Sequence, residues 1–317
     1  MSILSRLTND ILENVDFSRC HIIELDKKQV ESLIDMYTRM TFDDNNDNSS
    51  SLSGGMKGPV KDGAGESLYS EIFISEYLKR LSIFYTTKYD ELRGSPLTVA
   101  MYALEDLKTE YEIESTFIRG PYKESTKDKV LEIIVDKYAD IYTAGFKESL
   151  ETGDEEATGI FYDVMSNSKN KGRITDTFAS ALKDSATRQG CAALNSIAQE
   201  VEANPLVFPE TVINLWCKGR KLIENSLGGM SKFVNALGSS FINILNNNTL
   251  FDKRECSQRA AELCAKYLDS ILSKQTGKGK AKKSLSKDDA SNMAVTFVIT
   301  IIILLYHFLI SRQFLLI

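Results

Sequence analysis

Apolar residues recur at helical spacing along most of this chain. Leu4, Leu7, Ile11 and Val15 form one stripe and Val30, Leu33, Ile34 and Tyr37 another, so residues 1–42 are expected to hold amphipathic helical segments joined through Cys20 to Leu25. From Asp43 to Glu66 large apolar side chains almost vanish and Gly, Ser, Asn and Asp take over, which predicts a disordered linker over 43–66. From Leu68 to about Leu272 the helical period returns, with Pro96, Pro121, Pro205 and Pro209 as hard punctuation and no hairpin turn between alternating runs. The spacing predicts helices over Leu68–Tyr85, Pro96–Glu112, Lys127–Leu150, Glu156–Met165, Arg173–Val201, Pro209–Glu224, Ser231–Leu245 and Asp252–Leu272. Stripes of this length bury one another most simply in a bundle. The expected fold is all-α, a helical bundle over 68–250 with an additional helix over 251–272.

The pattern changes again near the end. Met293 to Ile310 runs for about 18 residues without an Asp, Glu, Lys or Arg, close to the roughly 20 that a helix needs to cross hydrocarbon. Before it, Lys274, Lys278, Lys280, Lys282, Lys283 and Lys287 make 273–292 a basic linker that favours the cytosolic side of a membrane. The expectation is a transmembrane helix over 293–310 that acts as a tail anchor and leaves the bulk of the chain in the cytosol.

Composition narrows the chemistry. The chain has 317 residues and a formal net charge of −6, so a surface that grips nucleic acid throughout is excluded. The two histidines, His21 and His307, and the five cysteines show no spacing that would ligate a metal. Cys20, Cys191, Cys217, Cys256 and Cys264 are expected to be free, buried thiols. The glycine-rich run Gly54–Gly65 lacks the Gly-Lys-Ser/Thr ending of a phosphate loop. No nucleophile elbow, zinc-helix motif, dinucleotide turn or kinase set is present, and Asp and Glu are expected mostly on solvated helix faces. The chain reads as non-enzymatic, without cofactor or metal.

A resemblance appears in the order of several short motifs. Asn170-Lys-Gly-Arg173-Ile174 followed by Phe178, and Ile223-Glu-Asn225 followed by Gly228-Gly229, Phe233-Val234 and Leu237, resemble the first and second homology regions of the B-cell lymphoma-2 family of apoptosis regulators. Leu131, Val135, Tyr138, Ala139 and Asp140 resemble the third, death-motif helix, and Ile72 to Leu81 the fourth. Lys171 and Met230 stand where that family has tryptophan. The resemblance implies a partner groove formed by Val135, Tyr138, Asn170, Gly172, Arg173, Phe178, Leu182 and Phe233. Arg173 would meet the aspartate of an incoming amphipathic helix. It further implies a survival-promoting regulator at the mitochondrial outer membrane or endoplasmic reticulum. Its partners would be the amphipathic helices of related or pro-apoptotic proteins, with homo- or hetero-dimers among them and no nucleic acid. The rival expectation is a tail-anchored structural or tethering protein, a viral or organelle scaffold, in which 170–174 and 223–238 are loop punctuation.

Overall fold

Helix ends in this chain are set by proline, glycine and short polar side chains. The computed structural model describes residues 3–20, 28, 31, 32, 34, 69–118, 120–247, 250, 251 and 256–275. Helix α1 spans Ile3–Arg19. A π-helical turn over Tyr69–Ile74 leads into α2, Ser75–Glu91. Pro96 sits at the start of α3, Pro96–Phe117, where its missing N–H costs no hydrogen bond. The preceding Ser95 pairs its hydroxyl with that of Thr98 at 2.7 Å. Then come α4, Gly120–Ile134, a 3-10 turn over Asp136–Tyr138, and α5, Ala139–Thr152. Helix α6, Glu155–Ser166, is capped by the Asp154 carboxylate, which accepts the Ala157 N–H at 2.9 Å. Helices α7, Lys171–Ser196, α8, Ala198–Ala203, α9, Val207–Ser226, α10, Ser231–Asn247, and α11, Cys256–Gln275, complete the described chain.

No strand occurs among the described residues, and the all-α expectation holds. Two expected helices are broken. Lys127–Leu150 divides at the 3-10 turn. Arg173–Val201 divides at Ile197, where Ser196 turns its hydroxyl onto the Ala193 carbonyl at 2.8 Å and so offers the backbone a local alternative to helix. The expected linkers 43–66 and 273–292 and the expected anchor 293–310 lie outside the described residues.

The described residues form two compact units. One comprises those up to Ala144 together with 163–171; here α3 packs on α1 and α4, and α4 on α2. The other comprises 145–162 and those from Gly172 onward, with α9, α10 and α11 packed on one another and α8 on α9. In the second unit α7 buries Phe178, Ala179, Leu182, Ser185, Gly190 and Leu194. Arg173, Asp176, Thr177 and Ser180 remain exposed. A helix with one buried stripe is not the wrapped central helix that the apoptotic resemblance requires.

Candidate functional site

Helix α3 has two opposed faces, and both carry polar residues. Val99, Ala103, Asp106, Glu110, Ile113 and Phe117 follow a four-three spacing, and all six are buried. Two carboxylates therefore occupy core positions of an apolar stripe. Opposite them lies α2, whose Tyr77, Leu81, Tyr85 and Tyr89 fall on one side at successive turns. The hydroxyls of Tyr77 and Tyr85 donate to Glu110 at 2.7 and 2.8 Å, and that of Tyr89 donates to Asp106 at 2.7 Å. Arg19, at the end of α1, donates from Nε to Glu110 at 2.6 Å and from a second nitrogen at 3.2 Å. Its remaining nitrogen donates to Asp16 at 2.7 Å. Lys88 donates to both oxygens of Asp106, at 2.8 and 2.9 Å.

The electrostatics follow from the lack of water. The side chains of Arg19 and Glu110 are both fully screened from solvent. Burial works against the guanidinium charge, but the charge and hydrogen bonds of Glu110 outweigh it and hold Arg19 above its ordinary value. Burial, reinforced by the nearby carboxylates, pushes the hydroxyls of Tyr77, Tyr85 and Tyr89 well up. Burial also raises Asp106, against the opposing hydrogen bonds from Lys88 and Tyr89. Every group here is spent on a neighbour. The cluster has no free nucleophile or base, and its work is to lock α1, α2 and α3 into one rigid body.

The other side of α3 is what this clamp presents. Met101, Leu104, Lys108, Tyr111 and Ser115 lie at spacings of three and four, turned roughly 180° from Asp106 at 100° per residue. Met101 is 55% exposed, and Leu104 and Tyr111 are half-buried. Between this stripe and Asn167 runs a groove of about 360 Å³, also lined by Leu107 and Glu112. The Lys127 ammonium lies 5.2 Å from the centre of the Tyr111 ring and steadies one end of it. The stripe combines aromatic, aliphatic and charged side chains on a rigid helix, the composition of a protein-docking surface.

The residues expected to form a groove are placed otherwise. In the first unit Leu131, Val135 and Tyr138 are buried, Ala139 is half-buried, and Asp140 and Asn170 are exposed. In the second, Gly172 and Arg173 are exposed on the first turn of α7, while Phe178, Leu182 and Phe233 are buried. Phe178 stacks on Phe146 with centroids 3.7 Å apart, and Phe233 meets Tyr162 edge-on at 5.6 Å. The apolar members are thus filled by their own cores, and no open row of them faces solvent. The free thiols also differ from expectation, since Cys20 and Cys217 are exposed and Cys191 is half-buried, while Cys264 is buried. Sequence reasoning missed Asp106 and Glu110 by treating acids as solvated. Their place in the four-three apolar stripe, facing tyrosines at helical spacing, was the available signal.

A family model described as the cullin alpha solenoid domain matches residues 1–305. Cullin-1 of Schizosaccharomyces pombe is 22% identical over 309 residues, which cover 94% of this chain and 37% of that protein. The chain thus spans little more than a third of this relative's length.

These matches overturn the resemblance to the B-cell lymphoma-2 family. With it go the apoptosis regulator, its survival role, its pro-apoptotic helix partners and its mitochondrial or reticulum location. The rival tail-anchored tether falls too. The reason lies in the motifs themselves. Asn170 is a turn residue and 171–174 are the start of α7, and Gly228 and Gly229 adopt φ of 62° and 66° in a helix stop, where the Gly229 N–H reaches back to the Ile223 carbonyl at 2.9 Å. Such punctuation serves many helical folds. The matched length also runs through most of 293–310, up to residue 305, and no described helix is long and apolar enough to cross a membrane.

Proposed function

This chain belongs to the cullin family, and from that premise we propose that it is a helical scaffold of a ubiquitin ligase, holding a substrate-adaptor protein and carrying out no bond chemistry itself. Cullins are scaffolds of such ligases and bind substrate-adaptor and RING-box proteins. The observation that carries the reading for this chain is α3. One face is locked by the buried Arg19, Glu110 and Asp106 cluster, and the opposite face offers Met101, Leu104 and Tyr111 to solvent. A scaffold needs a surface that keeps its shape whether or not its partner is bound, because every rotamer ordered on binding costs affinity. The buried ion pair serves that need. The adaptor docks along the α3 stripe, with Tyr111 and Met101 as its apolar anchors and Lys108 and Glu112 at the polar rim. The matching family model, described as an alpha solenoid domain, supports this reading.

Titration of the purified full chain with a substrate-adaptor protein of cullin-type ligases, followed by calorimetry, tests this. The Met101→Asp, Tyr111→Asp double variant should weaken binding at least 30-fold while its circular dichroism spectrum stays helical. Absence of adaptor binding to the wild-type chain would refute the scaffold role. Equal binding by the variant would remove the α3 stripe from it.

A further inference from the structure

The second unit contains an apolar cavity that the scaffold role leaves without a purpose. Its floor is made by Leu182 on α7 and by Leu237, Phe241 and Ile244 on α10, all buried. It encloses about 70 Å³, several times the ~10–15 Å³ that one water needs. The space exists because two helices lack side chains where they pass α10. A Cβ on Gly219 of α9 would stand 2.7 Å from Leu237 Cδ1, and one on Gly190 of α7 would overlap Ile244 Cδ1. Without them, Leu237 and Ile244 lie back against bare backbone. Side chains on those glycines would drive both leucine and isoleucine into the void.

The mouth is charged. Lys218 on α9, Glu155 at the first turn of α6 and the Gly153 turn all line it. Lys218 is exposed and forms no ion pair among the described residues. Its ammonium lies 3.9 Å from where a Gly153 side chain would begin, a space kept open by glycine at φ 74°. Glu155 does not pair with it; the residue stands in the first turn of α6, and its carbonyl accepts the Ser226 hydroxyl at 2.8 Å. Nearby charges are already used: Arg188 pairs with Glu151, and Asp154 caps α6. Gln189 is fixed as well, its amide donating to the Leu150 carbonyl at 2.7 Å and to Ser185 Oγ at 3.1 Å.

We infer that this cavity is a ligand site for a small zwitterion with an apolar tail, an apolar α-amino acid. Its carboxylate meets Lys218, its ammonium meets Glu155, and its side chain enters the space between Leu182, Leu237 and Phe241. A fatty acid would satisfy Lys218 but set its carboxylate beside Glu155, and an alkylamine would do the reverse. One charge of each sign at the rim selects a ligand that carries both. Every residue of the site belongs to the second unit, so the inference is independent of adaptor docking on α3.

The test is calorimetry on the full chain with L-leucine and L-phenylalanine. The comparison ligands are 4-methylpentanoate, which lacks the ammonium, isopentylamine, which lacks the carboxylate, and L-serine, which lacks the apolar tail. The expected result is saturable one-to-one binding of an apolar amino acid, with each comparison ligand at least tenfold weaker. Lys218→Met and Glu155→Gln should each weaken binding at least tenfold, and Ala186→Leu, which fills the cavity wall, should abolish it. Absence of saturable binding by either amino acid, or equal binding of 4-methylpentanoate, would overturn the site. So would unchanged binding in Lys218→Met. Because the comparison ligands are measured on the wild-type chain, a poorly folded variant leaves the outcome decided.

Discussion

Replacing Glu110 by alanine removes one acceptor shared by four donors: Arg19 Nε at 2.6 Å, a second Arg19 nitrogen at 3.2 Å, and the hydroxyls of Tyr77 and Tyr85 at 2.7 and 2.8 Å. What remains is a guanidinium sealed from water, still holding Asp16 at 2.7 Å, and two tyrosine hydroxyls that have lost their acceptor. Breaking a buried ion pair by deleting one partner costs about 3–5 kcal/mol, and each orphaned hydroxyl about 1–3 kcal/mol. The donors share a single acceptor, so these losses overlap and do not add in full. A loss of about 5 kcal/mol is expected, against a total stability of ~5–15 kcal/mol for a domain. In a unit of this size that corresponds to a fall of roughly 10–20 °C in melting temperature. The companion variant Arg19→Met, Glu110→Leu, Tyr77→Phe, Tyr85→Phe removes donors and acceptor together, and it should recover most of the loss because nothing buried is left unpaired. Urea unfolding followed by circular dichroism measures both. A cost below about 1 kcal/mol for Glu110→Ala would refute the reasoning, as would a fourfold apolar variant no more stable than the single one.

Asp106 provides a pH signature. Burial holds its carboxyl above the usual carboxylate range, so as pH falls the folded state takes up this proton before the unfolded state does. Stability therefore gains from Asp106 as pH falls through the raised folded value, and the gain is complete below the unfolded value. In urea midpoints measured from about pH 7 to about pH 4, wild type should gain relative to Asp106→Asn as the solution is acidified; a flat difference or one of opposite sign counts against a buried, ionised Asp106. In the second unit, a Cβ on Gly145 would stand 2.6 Å from Cε1 of the buried Phe161 ring. Gly145→Ala should destabilise by about 1–3 kcal/mol through overpacking, and Gly145→Ala with Phe161→Leu should restore part of it; equal thermal stability of Gly145→Ala and wild type would show that the ring moves freely.

Sequence alone determined the helical class and most helix ends. The reason is local: a period of three to four is visible without knowing the partner, and Pro96, Asp154 and the pair Gly228-Gly229 act on the backbone beside them. Breaks inside periodic stretches, at 136–138 and Ile197, were not legible, because the apolar pattern continues across them. Tertiary structure alone decided the sign of the polar residues. Asp106 and Glu110 look like solvated helix acids until α2 brings tyrosine hydroxyls at 77, 85 and 89 against them and α1 brings Arg19 from 91 positions away. The same holds in reverse for Phe178 and Phe233, whose helical stripe is equally compatible with an open groove or a filled core. Hydrophobic periodicity states that a face will be covered. Only the assembled helices decide whether the cover is the protein's own side chains, as at Phe146 on Phe178, or the face stays open to solvent, as along Met101, Leu104 and Tyr111.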